Sequence, residues 1–254
     1  VLILCSIVSL GFLKPGFPQT DDGLSMLIRA NGFHQSFKDG HLPVRWIQSL
    51  NENYGYPVLN FLYPLPFYLA EIFSIVGFST LTSVKIIFIL STFVSGIGMY
   101  LYLKNRTISL SALFGTALYL FLPYRISDLY QRGSLGESVA FALIPFIFFF
   151  IDTYFIQKKV SHFLLISVLW AALITAHNSL AFIFTPFIAG YFLISSPKKF
   201  TENLIPLSLL IFLTLSISAF FWLPALYDLQ FTRSSQIQIS NISNFFTTPS
   251  GLLS

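Results

Sequence analysis

Charged side chains are the scarcest feature of this 254-residue sequence. Only 9% of its residues are Asp, Glu, Lys or Arg, whereas a soluble globular domain carries roughly 25%. Apolar residues make up 55% of the chain, and its mean hydropathy is +0.75. These values exclude a soluble enzyme, a disordered chain and a nucleic-acid-binding protein, and they indicate a protein that lies in a membrane.

Metal-ligating residues are also sparse. The single cysteine, Cys5, lies in an apolar run and cannot form an internal disulfide, so it leaves the redox compartment undetermined. The four histidines, at positions 34, 41, 162 and 177, are scattered rather than clustered as in a zinc site. The sequence therefore predicts no metal site, and it gives no support for a divalent metal or any other resident cofactor.

Long apolar runs are abundant. A helix needs about 20 apolar residues to cross roughly 30 Å of hydrocarbon, and seven runs reach or approach that length. These runs are continuous rather than alternating, which favours helices over a β-barrel. We therefore expect an all-α polytopic membrane protein. The candidate spans are residues 1–13, 84–103, 108–123, 137–156, 161–176, 179–194 and 203–223.

Basic residues predict the orientation of these spans. Lys and Arg are enriched in the cytoplasmic loops of membrane proteins, and three pairs of them stand at span ends. If all three pairs are cytoplasmic, residues 14–83, 124–136, 177–178 and 224–254 lie outside, with eight of the ten carboxylates. The three pairs are Lys104/Arg106, Lys158/Lys159 and Lys198/Lys199.

The apolar run 61–78 is an exception, because Pro64 and Pro66 interrupt it. A full crossing there would break the alternation of inside and outside loops, so we expect a helix that lies at the membrane interface. The alternative is that this run does cross, and that one basic pair lies outside.

The first outer loop carries signals for juxtamembrane helices. Thr20, Asp21 and Asp22 resemble a helix N-terminus, and apolar residues over 24–37 recur at helical spacing. This pattern predicts an amphipathic helix, and we expect a second short helix from Arg45. The two aspartates admit two interpretations. They cap the helix, or one of them takes a proton from an attacking hydroxyl as a general base.

Three blocks of sequence together resemble a known superfamily. Their residues are Asp22, Arg29, 40–46, 54–57 and Tyr63-Pro64, then Pro123-Tyr124-Arg125 and 128–137, and finally His177-Asn178. The pattern is similar to bacterial membrane proteins of the GT-C glycosyltransferase superfamily, and most similar to their 6-pyruvoyl-tetrahydropterin synthase-related and YfhO-like members. The resemblance covers nearly the whole chain. The pterin label implies no pterin chemistry here, since no zinc-type histidine cluster is present.

The resemblance implies a fold and a reaction. GT-C enzymes share a core of about seven transmembrane helices, with juxtamembrane helices in the first outer loop. They pass a sugar from a polyprenyl-phosphate donor to an acceptor on the outer face. Glycans, lipids and proteins are the acceptor classes that stay open for this chain. Their acidic general base begins the first loop, a position that matches Asp22, with Asp21 beside it. The implied module is 1–223, in the bacterial cytoplasmic membrane, with an extracytoplasmic active site.

The donor's phosphate calls for basic ligands, and the planar fork of arginine suits a phosphate. We expect Arg125 and Arg132 to bind it, together with Arg45, Glu137 and His177. Glu137 is a carboxylate at the start of an apolar span, and ionisable residues in such positions are usually functional. The alternatives stay open at this point. The arginines snorkel or pair with nearby carboxylates, Glu137 or a neighbouring serine caps its span, and His177 forms a helix-end turn.

Two other functions compete with glycosyl transfer. A transporter or flippase of lipid-linked intermediates predicts charges within spans or broken paired helices, and mid-span charges are nearly absent. A catalytically inactive member of a cell-envelope complex is the other alternative, because many relatives carry His four residues after the Asp, where this chain has Met26. The chain begins at Val1 within an apolar stretch, so we expect a longer natural protein, with 224–254 a truncated outer loop.

Overall fold

A computed structural model describes residues 1–196 and 200–232, and within these ranges the chain is helical. The Lys198/Lys199 pair and residues 233–254, which form most of the expected outer loop, lie outside the described residues. The helices are α1 (Leu2–Leu13), α2 (Gly23–Lys38), α3 (Val58–Phe61), α4 (Leu65–Ile75), α5 (Thr80–Lys104), α6 (Ser109–Leu120), α7 (Pro123–Ser127), α8 (Leu135–Gln157), α9 (Val160–Ala176), α10 (Asn178–Ile194) and α11 (Leu204–Asp228).

Within residues 1–196 and 200–232, three helical segments are long and apolar enough to cross a membrane. They are Thr80–Lys104, Leu135–Gln157 and Thr201–Phe231. Five shorter apolar helices, α1, α4, α6, α9 and α10, accompany them. The predicted all-α membrane fold is confirmed in this form, and the seven-span GT-C-like core stays a prediction.

Glycines allow close packing at the centre of the bundle, where α5 contacts α8 and α1. A Cβ added at Gly98 would lie 2.7 Å from ring atoms of Phe146, and one at Gly96 would lie 2.6 Å from the sulfur of Cys5. Without a hydrophobic driving force inside a bilayer, helices associate through this kind of close backbone approach. These glycines therefore let α5 approach both partners closely.

A proline in the middle of α8 frees a carbonyl that another helix satisfies. Pro145 has no N–H to donate, so the carbonyl of Phe141, four residues earlier, loses its helical partner. The Tyr119 hydroxyl of α6 donates to that carbonyl at 2.7 Å. An unpaired carbonyl in a membrane is costly, so this bond ties α6 to the α8 proline.

Arg45 satisfies a carbonyl that a proline frees in α11. Pro224 frees the carbonyl of Phe220, and Arg45 Nη2 donates to that oxygen at 3.0 Å. The structure thus places this predicted phosphate ligand on α11, where it joins the first loop to the end of the bundle.

Arg45→Ala is expected to lower the free energy of unfolding by about 1 kcal/mol, because it leaves the Phe220 carbonyl unpaired. In a Pro224→Ala background the new backbone N–H takes over that carbonyl, so the same substitution should cost almost nothing. Thermal melts of the four proteins of this double-mutant cycle measure the coupling. An equal cost in both backgrounds would show that Arg45 does not serve the carbonyl that the proline frees.

The first loop contains one predicted helix and lacks the other. The amphipathic helix is α2, whereas the short helix expected from Arg45 is wrong. The backbone there is extended, because Ile47 exchanges hydrogen bonds of 3.0 and 3.1 Å with Tyr56 across a turn. Asn51, Glu52 and Asn53 in that turn have positive φ, which a helix does not allow.

The apolar run 61–78 is divided rather than continuous. Its main helix, α4, has 11 residues, so it rises about 16 Å, roughly half of a hydrocarbon core. The side chain of Glu71 on α4 is buried, and His34 Nδ1 of α2 lies 2.8 Å from its Oε1. The two helices therefore form one unit, whose length agrees with a position at the membrane interface.

Candidate functional site

Two distant parts of the chain meet at the beginning of α2. The backbone N–H of Asp21 donates to the carbonyl of Gln131 at 2.8 Å, and that of Asp22 donates to the carbonyl of Arg132 at 2.7 Å. The acceptors belong to a π-helical turn, Asp128–Arg132, which joins α7 to α8. These two bonds bring the Asp22 carboxylate within 4.0 Å of Arg132 Nε.

The side chain of Asp22 does not cap α2, although Asp22 occupies the N-cap position. The hydroxyl of Thr20 accepts the bond from the Gly23 N–H instead, at 3.1 Å. The capping interpretation is therefore wrong for Asp22, and its carboxylate stands free of the helix end. Asp21 is exposed beside it.

Glu137 is the centre of the cluster. Its side chain is only 3% exposed, and it lies in the first turn of α8, where the Ser134 hydroxyl accepts the capping bond at 3.4 Å. Arg132 Nη1 donates to Glu137 Oε1 at 2.5 Å, and the Tyr124 hydroxyl donates to Oε2 at 2.7 Å. The expected alternative of an Arg132–Glu137 pair is thus present, and Ser134 rather than Glu137 is the cap.

His177 joins the cluster from the junction of α9 and α10. Its Nδ1 accepts a hydrogen bond from the Leu180 N–H at 3.2 Å, so the proton of the neutral ring lies on Nε2. That atom is 3.7 Å from Glu137 Oε1. Burial lowers the pKa of His177 below its ordinary value, which favours the neutral ring. His177 therefore forms the predicted turn at the helix end, and it also lies next to the Glu137 carboxylate.

Two tyrosines, Tyr63 and Tyr124, complete the cluster, and no pattern in the sequence predicted a role for them. The ring of Tyr63 lies 4.8 Å from that of His177, centroid to centroid. Burial raises the pKa of Tyr63 to about 12, and burial together with the bond to Glu137 raises that of Tyr124 to about 12. Both hydroxyls thus stay protonated as donors at neutral pH. Their one sequence signal was their place within the blocks that carry the resemblance.

Asp128 is a second buried carboxyl beside Glu137. It is 2% exposed, and its Oδ1 has no hydrogen-bond partner among the described residues. Burial raises its pKa, and the nearby charge of Glu137 and a hydrogen bond to Glu137 raise it further. A buried carboxyl beside another carboxylate is held in its neutral form in this way.

Asp128→Asn is expected to flatten the pH dependence of stability. An elevated carboxyl pKa means that the unfolded chain loses this proton first, so the native protein loses stability as pH rises above the ordinary value of 3.8 into the neutral range. Asn keeps a donor toward Glu137 and does not titrate. Thermal melts from about pH 5 to about pH 7.5 should show a fall that is smaller in the variant by roughly 1–2 kcal/mol. Parallel curves would contradict the raised pKa of Asp128.

Arg125 is buried inside the bundle, although it was expected to bind the phosphate from the outer loop 124–136. It is 2% exposed, and its Nη2 donates to the Ser95 hydroxyl at 3.1 Å. Its guanidinium stacks on the rings of Tyr119 and Phe141, at 4.8 and 5.2 Å from their centroids.

The structure therefore brings Asp22, Arg132, Glu137 and His177 together, and it places Arg45 and Arg125 elsewhere. Among the described residues no group of three or more His, Cys, Asp or Glu could hold a metal ion.

The fold and this cluster define a helical membrane protein with buried carboxyls at one end of its bundle. The family described as 6-pyruvoyl-tetrahydropterin synthase related domain, membrane protein, matches residues 59–252. The chain belongs to this family of membrane proteins, which confirms that part of the resemblance.

One relative covers nearly the whole chain. A protein of Lactococcus lactis subsp. cremoris (strain MG1363), described as uncharacterized, is 25% identical over 251 residues, which is 95% of this chain and 40% of that protein. The chain thus spans less than half the length of this relative. No solved structure matches the present chain.

Proposed function

We propose that the protein is a membrane glycosyltransferase of the GT-C type, which transfers a sugar from a polyprenyl-phosphate donor to an acceptor on the extracytoplasmic face. One observation carries the proposal. The carboxylate of Asp22 is not used as a helix cap, is 41% exposed, and faces an arginine at the end of an apolar helix bundle. An accessible base beside a phosphate ligand is what this transfer requires.

Asp22 has the role of general base in this proposal. The acceptor hydroxyl attacks the anomeric carbon of the sugar, and its proton passes to the Asp22 carboxylate. The new glycosidic C–O bond forms while the bond from the anomeric carbon to the phosphate oxygen breaks. The polyprenyl phosphate leaves with the electron pair of the broken bond.

Arg132 has the role of phosphate ligand. Its side chain is 45% exposed, so part of the guanidinium fork is open to a ligand while Nη1 is held by Glu137. A guanidinium aimed at the leaving phosphate stabilises the charge that develops there. Glu137 acts through Arg132, and His177 and Tyr124 fix Glu137, so these three are positioning residues.

Charge supports the extracytoplasmic side. The basic residues Lys104, Arg106 and Lys158 stand at the ends of α5 and α8 that are opposite to the cluster. Arg106 is anchored there by two bonds to the buried Asp152, at 2.7 and 2.8 Å. The positive-inside rule assigns this basic end to the cytoplasm and hence the cluster to the outside. The proposed seven-span core comprises α1, α5, α6, α8, α9, α10 and α11, with α4 at the interface.

The test is sugar transfer by the purified protein in lipid nanodiscs. A panel of polyprenyl-phosphate hexoses and pentoses is offered with cell-envelope glycan, lipid and protein acceptors, and mass spectrometry follows product and released polyprenyl phosphate. Glycosylated product with stoichiometric release is the expected result. Movement of the intact donor between the leaflets of liposomes, with no release in the same preparation, would replace the transferase with the flippase alternative.

Sidedness has a separate test in intact cells. A cysteine introduced at the exposed Asp21 position, in a Cys5→Ser background, should react with a membrane-impermeant maleimide. A cysteine at Lys104 should react only after the membrane is permeabilised. The reverse pattern would move the cluster to the cytoplasmic side.

A further inference from the structure

We infer that a lateral crevice between α5, α6, α8 and α10 holds the hydrocarbon chain of the polyprenyl donor. This inference rests on the proposed function, because it assigns a place to the lipid part of the same substrate. The crevice has a volume of about 660 Å³, which is within the range of pockets that bury small ligands. Its walls are almost entirely aliphatic and aromatic.

One face of α8 leads from the polar cluster into this crevice. Glu137 holds Arg132, and Phe141, Ile144, Pro145 and Phe148 line the crevice. These positions follow Glu137 at intervals of 4, 7, 8 and 11 residues, so they form a single stripe on the helix. The stripe extends about 16 Å from Glu137 to Phe148. A phosphate on Arg132 would therefore have an apolar path beneath it, directed toward the opposite side of the membrane.

The outer end of the crevice is bound directly to the cluster. The Tyr124 ring packs edge-on against Phe141, at 6.0 Å between centroids, while its hydroxyl donates to Glu137. The Arg125 guanidinium stacks on the rings of Phe141 and Tyr119, which both line the crevice. This end of the crevice therefore lies beside the buried Arg125 and is joined through Tyr124 and Glu137 to the accessible Arg132, which fits a lipid with an anionic head and an apolar tail.

Gly190 keeps the crevice open at its other wall. It lies in the interior of α10, where glycine destabilises a helix relative to alanine. No described atom lies within 4 Å of a Cβ added there, and the residue lines the crevice. Close packing therefore does not explain this glycine. An added Cβ would meet no described atom, and a longer side chain would extend into the space that we assign to the lipid chain.

Photolabelling tests the assignment. The probe is a C20 prenyl phosphate with a diazirine at the end distal to the phosphate, used on the full protein in nanodiscs. We expect label on the α8 peptide that contains Phe148 and on the α10 peptide that contains Tyr191. Gly190→Leu should lower this labelling roughly tenfold, because burial of several methylene groups is lost, while Gly190→Ala should lower it much less.

Ser216→Leu on the exposed face of α11 is the matched control, since it adds a similar volume to a helix outside the crevice. Its labelling should equal that of the wild type, and thermal melts should show that all three variants are folded. Equal labelling of Gly190→Leu and the wild type, or label confined to α11, would overturn the inference. A diazirine-bearing prenol without phosphate separates binding by the tail alone from binding that needs the anionic head.

The outcomes distinguish this inference from the proposed function. Sugar transfer that is unaffected by Gly190→Leu would refute the crevice and leave the transferase intact. Labelling that depends on Gly190 in a protein that transfers no sugar would support the crevice and refute the transferase. The protein would then be a prenyl-lipid-binding protein.

Discussion

Asp22→Asn is expected to reduce the rate of sugar transfer by roughly 10²–10⁴-fold, the usual contribution of a positioned general base. Asn has nearly the same shape but cannot accept the proton of the acceptor hydroxyl. The fold should be unaffected, because the Asp22 side chain makes no capping bond and the hydrogen bond that ties Asp22 to the Arg132 carbonyl comes from its backbone N–H, which the substitution keeps. Initial rates and a thermal melt of the same preparation measure the two effects.

Asp21→Asn provides the matched control for this substitution. Asp21 carries the same charge one residue away, is exposed, and has the same backbone link to the π-helical turn. Its variant should transfer sugar at close to the wild-type rate. If the Asp21 variant is inactive and the Asp22 variant is active, the base has been assigned to the wrong neighbour.

Glu137→Ala is expected to produce the largest loss of stability, roughly 1–3 kcal/mol. The substitution removes a buried acceptor from both Arg132 and Tyr124. The loss stays below that of a fully buried ion pair, because the Arg132 side chain is 45% exposed and water can solvate it. Removal of the Glu137 charge also removes its repulsion of the ionised Asp128, whose pKa is raised by burial and by that charge. This gain offsets part of the loss.

Glu137→Gln separates the shape of this residue from its charge. Gln keeps an acceptor oxygen for Tyr124 and fills the same space, so its melting temperature should lie between those of the wild type and the Ala variant. Transfer should fall in both variants, because neither holds Arg132 by an ion pair with a carboxylate. A Glu137→Ala protein that melts like the wild type would contradict the central place of this carboxylate.

Local patterns in the sequence predict much of the helical scaffold. The spacing of apolar residues over 24–37 indicates α2, and the continuous runs indicate α5, α8 and α11 as helices of membrane length. These signals are local because helix formation depends on residues three and four apart. The number of spans and their direction depend on the bilayer, which enters only through the positive-inside rule.

Contacts between distant residues could not be predicted in this way. The approach of Asp22 to Arg132 depends on backbone bonds between the first loop and a π-helical turn, and no periodic pattern encodes it. Arg125 was expected to bind the donor phosphate from the outer loop 124–136. It is instead buried, since two aromatic rings from α6 and α8 stack on its guanidinium.

The assignment of capping residues shows the same limit at short range. Thr20 and Asp22 are both good N-cap residues, and the sequence does not rank them. Because the Asp22 N–H is bound to Arg132, the chain turns so that the hydroxyl of Thr20 meets the Gly23 N–H. A tertiary contact therefore decides which side chain is left free for chemistry.

A single-turnover experiment tests the central claim most directly, because it measures donor binding and sugar transfer in the same sample. Wild type, Asp22→Asn and Arg132→Gln proteins receive one equivalent of the same polyprenyl-phosphate sugar with excess acceptor. The account predicts that Asp22→Asn binds the donor as the wild type does but forms no glycosidic bond, and that Arg132→Gln binds it weakly. Transfer at the wild-type rate by Asp22→Asn, or undiminished binding by Arg132→Gln, would contradict it.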